Sequence, residues 1–91
     1  MAKVAAVQVW ISGRVQGVGY RMATRQQALA LGVDGWVQNL PDGRVWAVLA
    51  GEEKAVQKLV DWCRQGPPLA QVTEVVVAPY PDPVGKGFEI R

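Results

Sequence analysis

Histidine is absent from this 91-residue chain. It is the side chain that titrates between pH 5 and 8 and the commonest metal ligand. Its absence therefore removes both the usual general acid–base catalysis and histidine metal ligation. Cysteine is nearly absent. The one thiol, Cys63, excludes an intrachain disulfide and a cysteine-cluster metal site, and its place beside Trp62 in an expected helix suits a buried, inert group. The eight acids are scattered. Only Glu52 and Glu53 are adjacent, and neighbours on a helix point in different directions, so a carboxylate-rich magnesium site is not expected. No serine or cysteine has an evident activating base. Any phosphoryl chemistry here must work by positioning and electrostatics.

Long apolar runs are missing too. Nothing approaches the roughly 20 residues of a membrane span. The Val4–Ile11 run is interrupted by Gln8 and lacks a cleavage site of signal type, so a cytoplasmic, reducing location is expected, with no membrane partner. Charge of one sign is also scarce. Ten Lys and Arg against eight Asp and Glu leave a formal net charge of +2 and no dense basic run. That balance suits a small anionic substrate and gives only weak support for nucleic acid, which is not expected as a partner.

What is present indicates a folded globule of one domain, residues 1–91: hydrophobic residues make up 49% of the chain, and there are four tryptophans. Val4–Ile11 is valine-rich and reads as a buried strand. Ser12–Tyr20 follows as a loop, and Arg21–Leu31 as a helix stopped by Gly32. On that helix Arg21, Thr24, Ala28 and Leu31 share one face. Gly35–Leu40 and Arg44–Ala50 read as a hairpin around the Pro41-Asp42-Gly43 turn, with Gly51 ending its second strand. Glu52–Gln65 is the second helix: Val56, Leu59, Val60 and Cys63 form its apolar stripe, and Gly66-Pro67-Pro68 ends it. Gln71–Ala78 is a fourth strand, prolines 79, 81 and 83 mark a surface loop, and Gly87–Arg91 closes as a short strand. The order βαββαβ, with right-handed crossovers, predicts a ferredoxin-like α/β sandwich: an antiparallel sheet with both helices on one face.

The chemistry concentrates in Gly13-Arg14-Val15-Gln16-Gly17-Val18-Gly19-Tyr20-Arg21. A glycine-rich turn from strand to helix turns several backbone N–H groups toward one point at the positive end of the helix dipole. Arg21 adds a planar, permanently charged fork suited to phosphate or carboxylate. The spacing is neither that of the nucleotide P-loop nor that of the dinucleotide fingerprint. Asn39, at the end of the second strand, has two readings: a cap on the Pro-Asp-Gly turn, or a partner of the anion loop. An anion site without acid or base selects its substrate. An acyl phosphate expels a carboxylate whose conjugate acid has a pKa of about 4, so no general acid is required.

These motifs resemble those of the acylphosphatases. The first signature block is Gly13 to Arg21, and the second is Gly35-Trp36-Val37-Gln38-Asn39-Leu40-Pro41-Asp42-Gly43. Leu31-Gly32-Val33, Gly51, Gly66-Pro67 and Phe88-Glu89-Ile90 match as well, so the resemblance covers nearly the whole chain in order. It implies hydrolysis of acyl phosphates to a carboxylate and inorganic phosphate without metal or organic cofactor. Carried over by motif, Arg21 binds the phosphoryl group, the backbone N–H groups of Gln16, Gly17, Val18, Gly19 and Tyr20 complete the cradle, and Asn39 holds the attacking water. Tyr20 stands where phenylalanine is more frequent, and Trp46 replaces a commoner polar residue on what is expected to be an exposed strand. A monomer is expected. Two rivals remain at this point: a module that binds an anion without turnover, and an RNA-binding sheet face built on Trp10, Trp36 and Trp46.

Overall fold

In the computed structural model, which describes residues 3–91, the apolar alternation near the N-terminus becomes the longest strand. This strand, β1 (Val4–Arg14), continues past Ile11, because Ser12 pairs with Glu74 and Gly13 with Val72 across a register shift. Helix α1 (Tyr20–Leu31), the hairpin strands β2 (Asp34–Asn39) and β3 (Val45–Glu52), and helix α2 (Glu53–Cys63) follow, and then strands β4 (Gln71–Pro79) and β5 (Phe88–Ile90). β3 runs through Gly51 to Glu52, since Ala5 and Val4 of β1 keep pairing with those residues.

The sheet order is β4-β1-β3-β2-β5. β1 is antiparallel to β3 and β4, and β2 to β3. The sheet is mixed rather than wholly antiparallel, because β5 lies parallel to β2, with Gly35 opposite Phe88 and Val37 opposite Ile90. The reason is topological. The chain leaves β4 at one edge, reverses through residues 80–87 and reaches the other edge running antiparallel to β4, which is the direction of β2. Two helices on one face of this sheet make the expected ferredoxin-like sandwich.

The helix-facing side of the sheet carries Val9, Ile11, Val37, Val45, Ala47 and Leu49, all fully buried. Against it α2 lays Val56, Leu59, Val60 and Cys63, as its periodicity predicts. α1 contributes Tyr20, Thr24 and Ala28. Arg21 and Leu31, expected on that face, lie half-buried at its flanks. The buried Thr24 hydroxyl donates to the Tyr20 carbonyl at 2.7 Å, so a polar side chain enters the core without losing its hydrogen bond. Gly32 ends α1 in the left-handed conformation, with the Val33 N–H donating to the Ala28 carbonyl at 2.9 Å. Burial pushes the Cys63 thiol up to about 12, which fits the inert core thiol read from the sequence.

The opposite sheet face carries the other aromatics. Trp10 pairs with Trp46 across β1 and β3. Trp36 meets Trp46 edge-on at 6.0 Å and Tyr80 edge-on at 5.6 Å. The Arg91 guanidinium lies 4.1 Å from the centre of the Trp36 ring. These contacts leave Trp46 half-buried rather than fully exposed, and that ring face of Trp36 is already covered.

Candidate active site

The loop between β1 and α1 reaches its shape through two glycines. Gly17 and Gly19 have φ of 74° and 79°, a region that side-chain-bearing residues rarely enter, and Gly19 is the residue preceding α1. A Cβ added at either would meet nothing within 4 Å. Glycine is therefore required there by backbone conformation and not by crowding. No side chain caps the start of α1, and its first turn carries no acid. Among residues 3–91, no protein acceptor takes up the N–H groups of Gly17, Val18, Gly19, Tyr20 or Arg21. A row of donors without protein partners at the positive end of a helix is suited to cradling an anion.

The cradle opens into a cleft of about 260 Å³ whose lining includes Gly17, Gly19, Arg21 and Asn39. Strand β2 delivers Asn39 to this cleft from its C-terminal end, and α1 delivers Arg21 from its first turn. One Arg21 nitrogen, Nη1, donates to the main-chain oxygen of Arg91 at 2.9 Å. That bond anchors the guanidinium and leaves its other donors available.

The Pro-Asp-Gly turn does not use Asn39. Asp42 holds it instead, accepting the Arg44 N–H at 3.1 Å and the Arg44 side chain at 2.7 Å. The hydrogen bond from the Arg44 backbone, with the guanidinium beside it, keeps the Asp42 carboxyl below its ordinary range. Asn39 Oδ1 is buried and has no protein donor. A buried acceptor without a donor, on a residue that lines the cleft, is suited to a water or a ligand proton.

The remaining loop residues divide. The Tyr20 side chain turns into the core, where its hydroxyl donates to the Cys63 carbonyl at 2.6 Å and its ring tilts against Trp62 at 5.6 Å. That bond occupies a carbonyl at the C-terminal end of α2, and burial pushes the phenol far above its usual range. Val18 packs against the core, and the Gln16 side chain points to the hairpin. Only their main-chain groups remain for an anion. Three other lining residues, Val15, Met22 and Ile90, were not among the candidate site residues read from the sequence. Met22 and Ile90 are 63% and 40% exposed, a small apolar lip beside the cradle. Ile90 reaches it only through the parallel β2–β5 pairing, a long-range event without local signal.

The sequence model of the acylphosphatase family matches residues 7–90. The chain belongs to the acylphosphatase family. An acylphosphatase of Gloeobacter violaceus is 58% identical over 78 residues, covering 86% of this chain and 84% of that protein. The fold superposes on the acylphosphatase of Coxiella burnetii with a TM-score of 0.92 at 35% identity, covering 97% and 93% of the two chains. The Bacillus subtilis acylphosphatase gives a TM-score of 0.90 at 33% identity, covering 98% and 99%. The chain is thus an enzyme of the hydrolase class, and acylphosphatase activity is the activity of its family. No helix among the described residues is long and apolar enough to cross a membrane.

Proposed function

We propose that this acylphosphatase family member hydrolyses small acyl phosphates without metal or organic cofactor, by holding the phosphoryl group while Asn39 directs a water at phosphorus. The observation that carries the reading is the convergence on one cleft of three things: the loop with its unpaired N–H groups, Arg21, and Asn39, whose Oδ1 has no protein partner. The N–H groups of residues 16–20 and the Arg21 fork would bind the phosphoryl oxygens and stabilise charge that grows on them in the transition state. Asn39 Oδ1 would accept one hydrogen of the attacking water and aim its lone pair along the line of displacement. A P–O bond then forms from water as the bond to the acyl oxygen breaks. The carboxylate leaves with that electron pair, and the water's proton passes to a phosphate oxygen. No protein base is needed, which agrees with a chain that has no histidine.

The described residues contain no cluster of three or more side chains placed to ligate a metal, and the positive charge such an ion would supply is available from Arg21. We also take the enzyme to act as a cytoplasmic monomer on a small molecule, with no nucleic-acid partner. The low net charge and the occupied Trp36 face support that.

Phosphate release from benzoyl phosphate in the presence of EDTA, with a simple alkyl phosphate ester as comparison, tests the reading. Turnover of the acyl phosphate at least ~100-fold faster than that of the ester is expected, because only the ester needs a general acid for an efficient departure. Phosphate binding without turnover would make the chain an anion-binding module. Equal turnover of both substrates would overturn the leaving-group argument.

A further inference from the structure

The anion loop and Asn39 belong to different elements, and one side chain ties them together. The Gln16 carboxamide nitrogen donates to the Leu40 carbonyl at 2.8 Å and to the Arg44 carbonyl at 3.0 Å. Leu40 directly follows Asn39, and its own N–H donates to the same Arg44 carbonyl at 2.8 Å. The Gln16 amide therefore spans both arms of the β2–β3 hairpin at the neck of its turn. A carboxamide fits this place because its NH₂ group has two hydrogens for two carbonyl acceptors. A carboxylate of the same length would set acceptors against acceptors, and an apolar side chain would leave both carbonyls without that donor.

We propose that the Gln16 side chain is a positioning residue, one that fixes the distance and angle between the phosphoryl cradle and Asn39. The rest of the cradle does not depend on it. Gly17 and Gly19 set the loop's shape, the start of α1 supplies its donors, and the Arg91 main-chain oxygen anchors Arg21. Losing the Gln16 bridge should loosen the aim of the water while leaving phosphate held. This rests on the acyl-phosphate reading above, so wild-type turnover is measured beside every variant.

The test uses Gln16→Met and Gln16→Glu, each alone and with Asn39→Ala. Gln16→Met should lower kcat on benzoyl phosphate about 10- to 100-fold, the scale of a misplacement near 1 Å, while inhibition by inorganic phosphate moves less than about twofold. In the Asn39→Ala background the same change should cost less than about twofold, since there is no longer a water-holding amide to aim. Gln16→Glu should be worse than Gln16→Met at pH 8 and recover toward pH 5, where a protonated carboxyl regains one donor. Three results would overturn the proposal: an unchanged kcat in Gln16→Met, an equal loss in the Asn39→Ala background, or phosphate inhibition weakened in step with kcat. Independently of turnover, the Asn39 side-chain amide signal in ¹⁵N spectra of the phosphate-bound protein should shift or broaden in Gln16→Met. An unmoved signal also overturns the proposal. If wild type proves inactive on benzoyl phosphate while that signal moves, the acyl-phosphate reading fails and the bridge stands.

Discussion

Arg21→Ala is expected to abolish phosphate binding at working concentrations and to lower kcat/KM on an acyl phosphate by roughly 10³-fold or more. Both losses have one cause. In the cleft only the guanidinium adds a full positive charge to the dipoles of the loop N–H groups. The reaction concentrates negative charge on the phosphoryl oxygens, so removing the cation raises the transition state more than the bound ground state. Arg21→Lys should restore charge but not the fork, recovering part of the phosphate affinity and little of kcat. The release of Arg91 from its 2.9 Å contact with Arg21 is a second effect, confined to the end of β5. Competitive inhibition by inorganic phosphate together with steady-state turnover checks both losses. An Arg21→Ala enzyme that bound phosphate normally would remove Arg21 from the cradle.

Asn39→Ala should separate the two quantities that Arg21→Ala joins. The cradle is built by the β1–α1 loop and α1, and Asn39 enters from β2. Truncating it should leave phosphate inhibition within about twofold of wild type while kcat falls by roughly 10²- to 10³-fold, the cost of removing one directed hydrogen-bonding group from a transition state. Stability should hardly suffer, because the turn is held by Asp42 and Arg44, and Asn39 Oδ1 makes no bond within the protein. A loss of folding would return Asn39 to the role of a turn cap. A normal kcat would exclude it from the reaction.

The parts of this molecule that are local in sequence were legible in the sequence. The α2 stripe from Val56 to Cys63, the Gly32 terminus of α1 and the Pro41–Gly43 turn each follow from residue spacing and backbone preference. The glycine turn into α1 was legible for the same reason, since its glycines and the helix that follows are contiguous. What pairing decides was not. The direction of β5, and with it the placing of Ile90 and Arg91 at the site, depends on the path of residues 80–87 from one sheet edge to the other. Asn39 shows the boundary most clearly. Turn cap and site residue were both consistent with its position, and only the bonds of Asp42 decided against the turn. Tyr20 and Gln16 mark the same limit: both belong to the contiguous loop block, but the carbonyl that each side chain reaches lies on a distant element.

The proposed chemistry places the new bond at phosphorus, inside the cradle, and not at the acyl carbon. Hydrolysis of benzoyl phosphate in ¹⁸O-labelled water, with mass analysis of both products under enzyme-dominated turnover, reads this outcome. One labelled oxygen per turnover is expected in inorganic phosphate, and none above background in benzoate. Label appearing in benzoate would mean that water attacks the carbonyl, and neither the phosphoryl cradle nor the aim assigned to Asn39 could then stand.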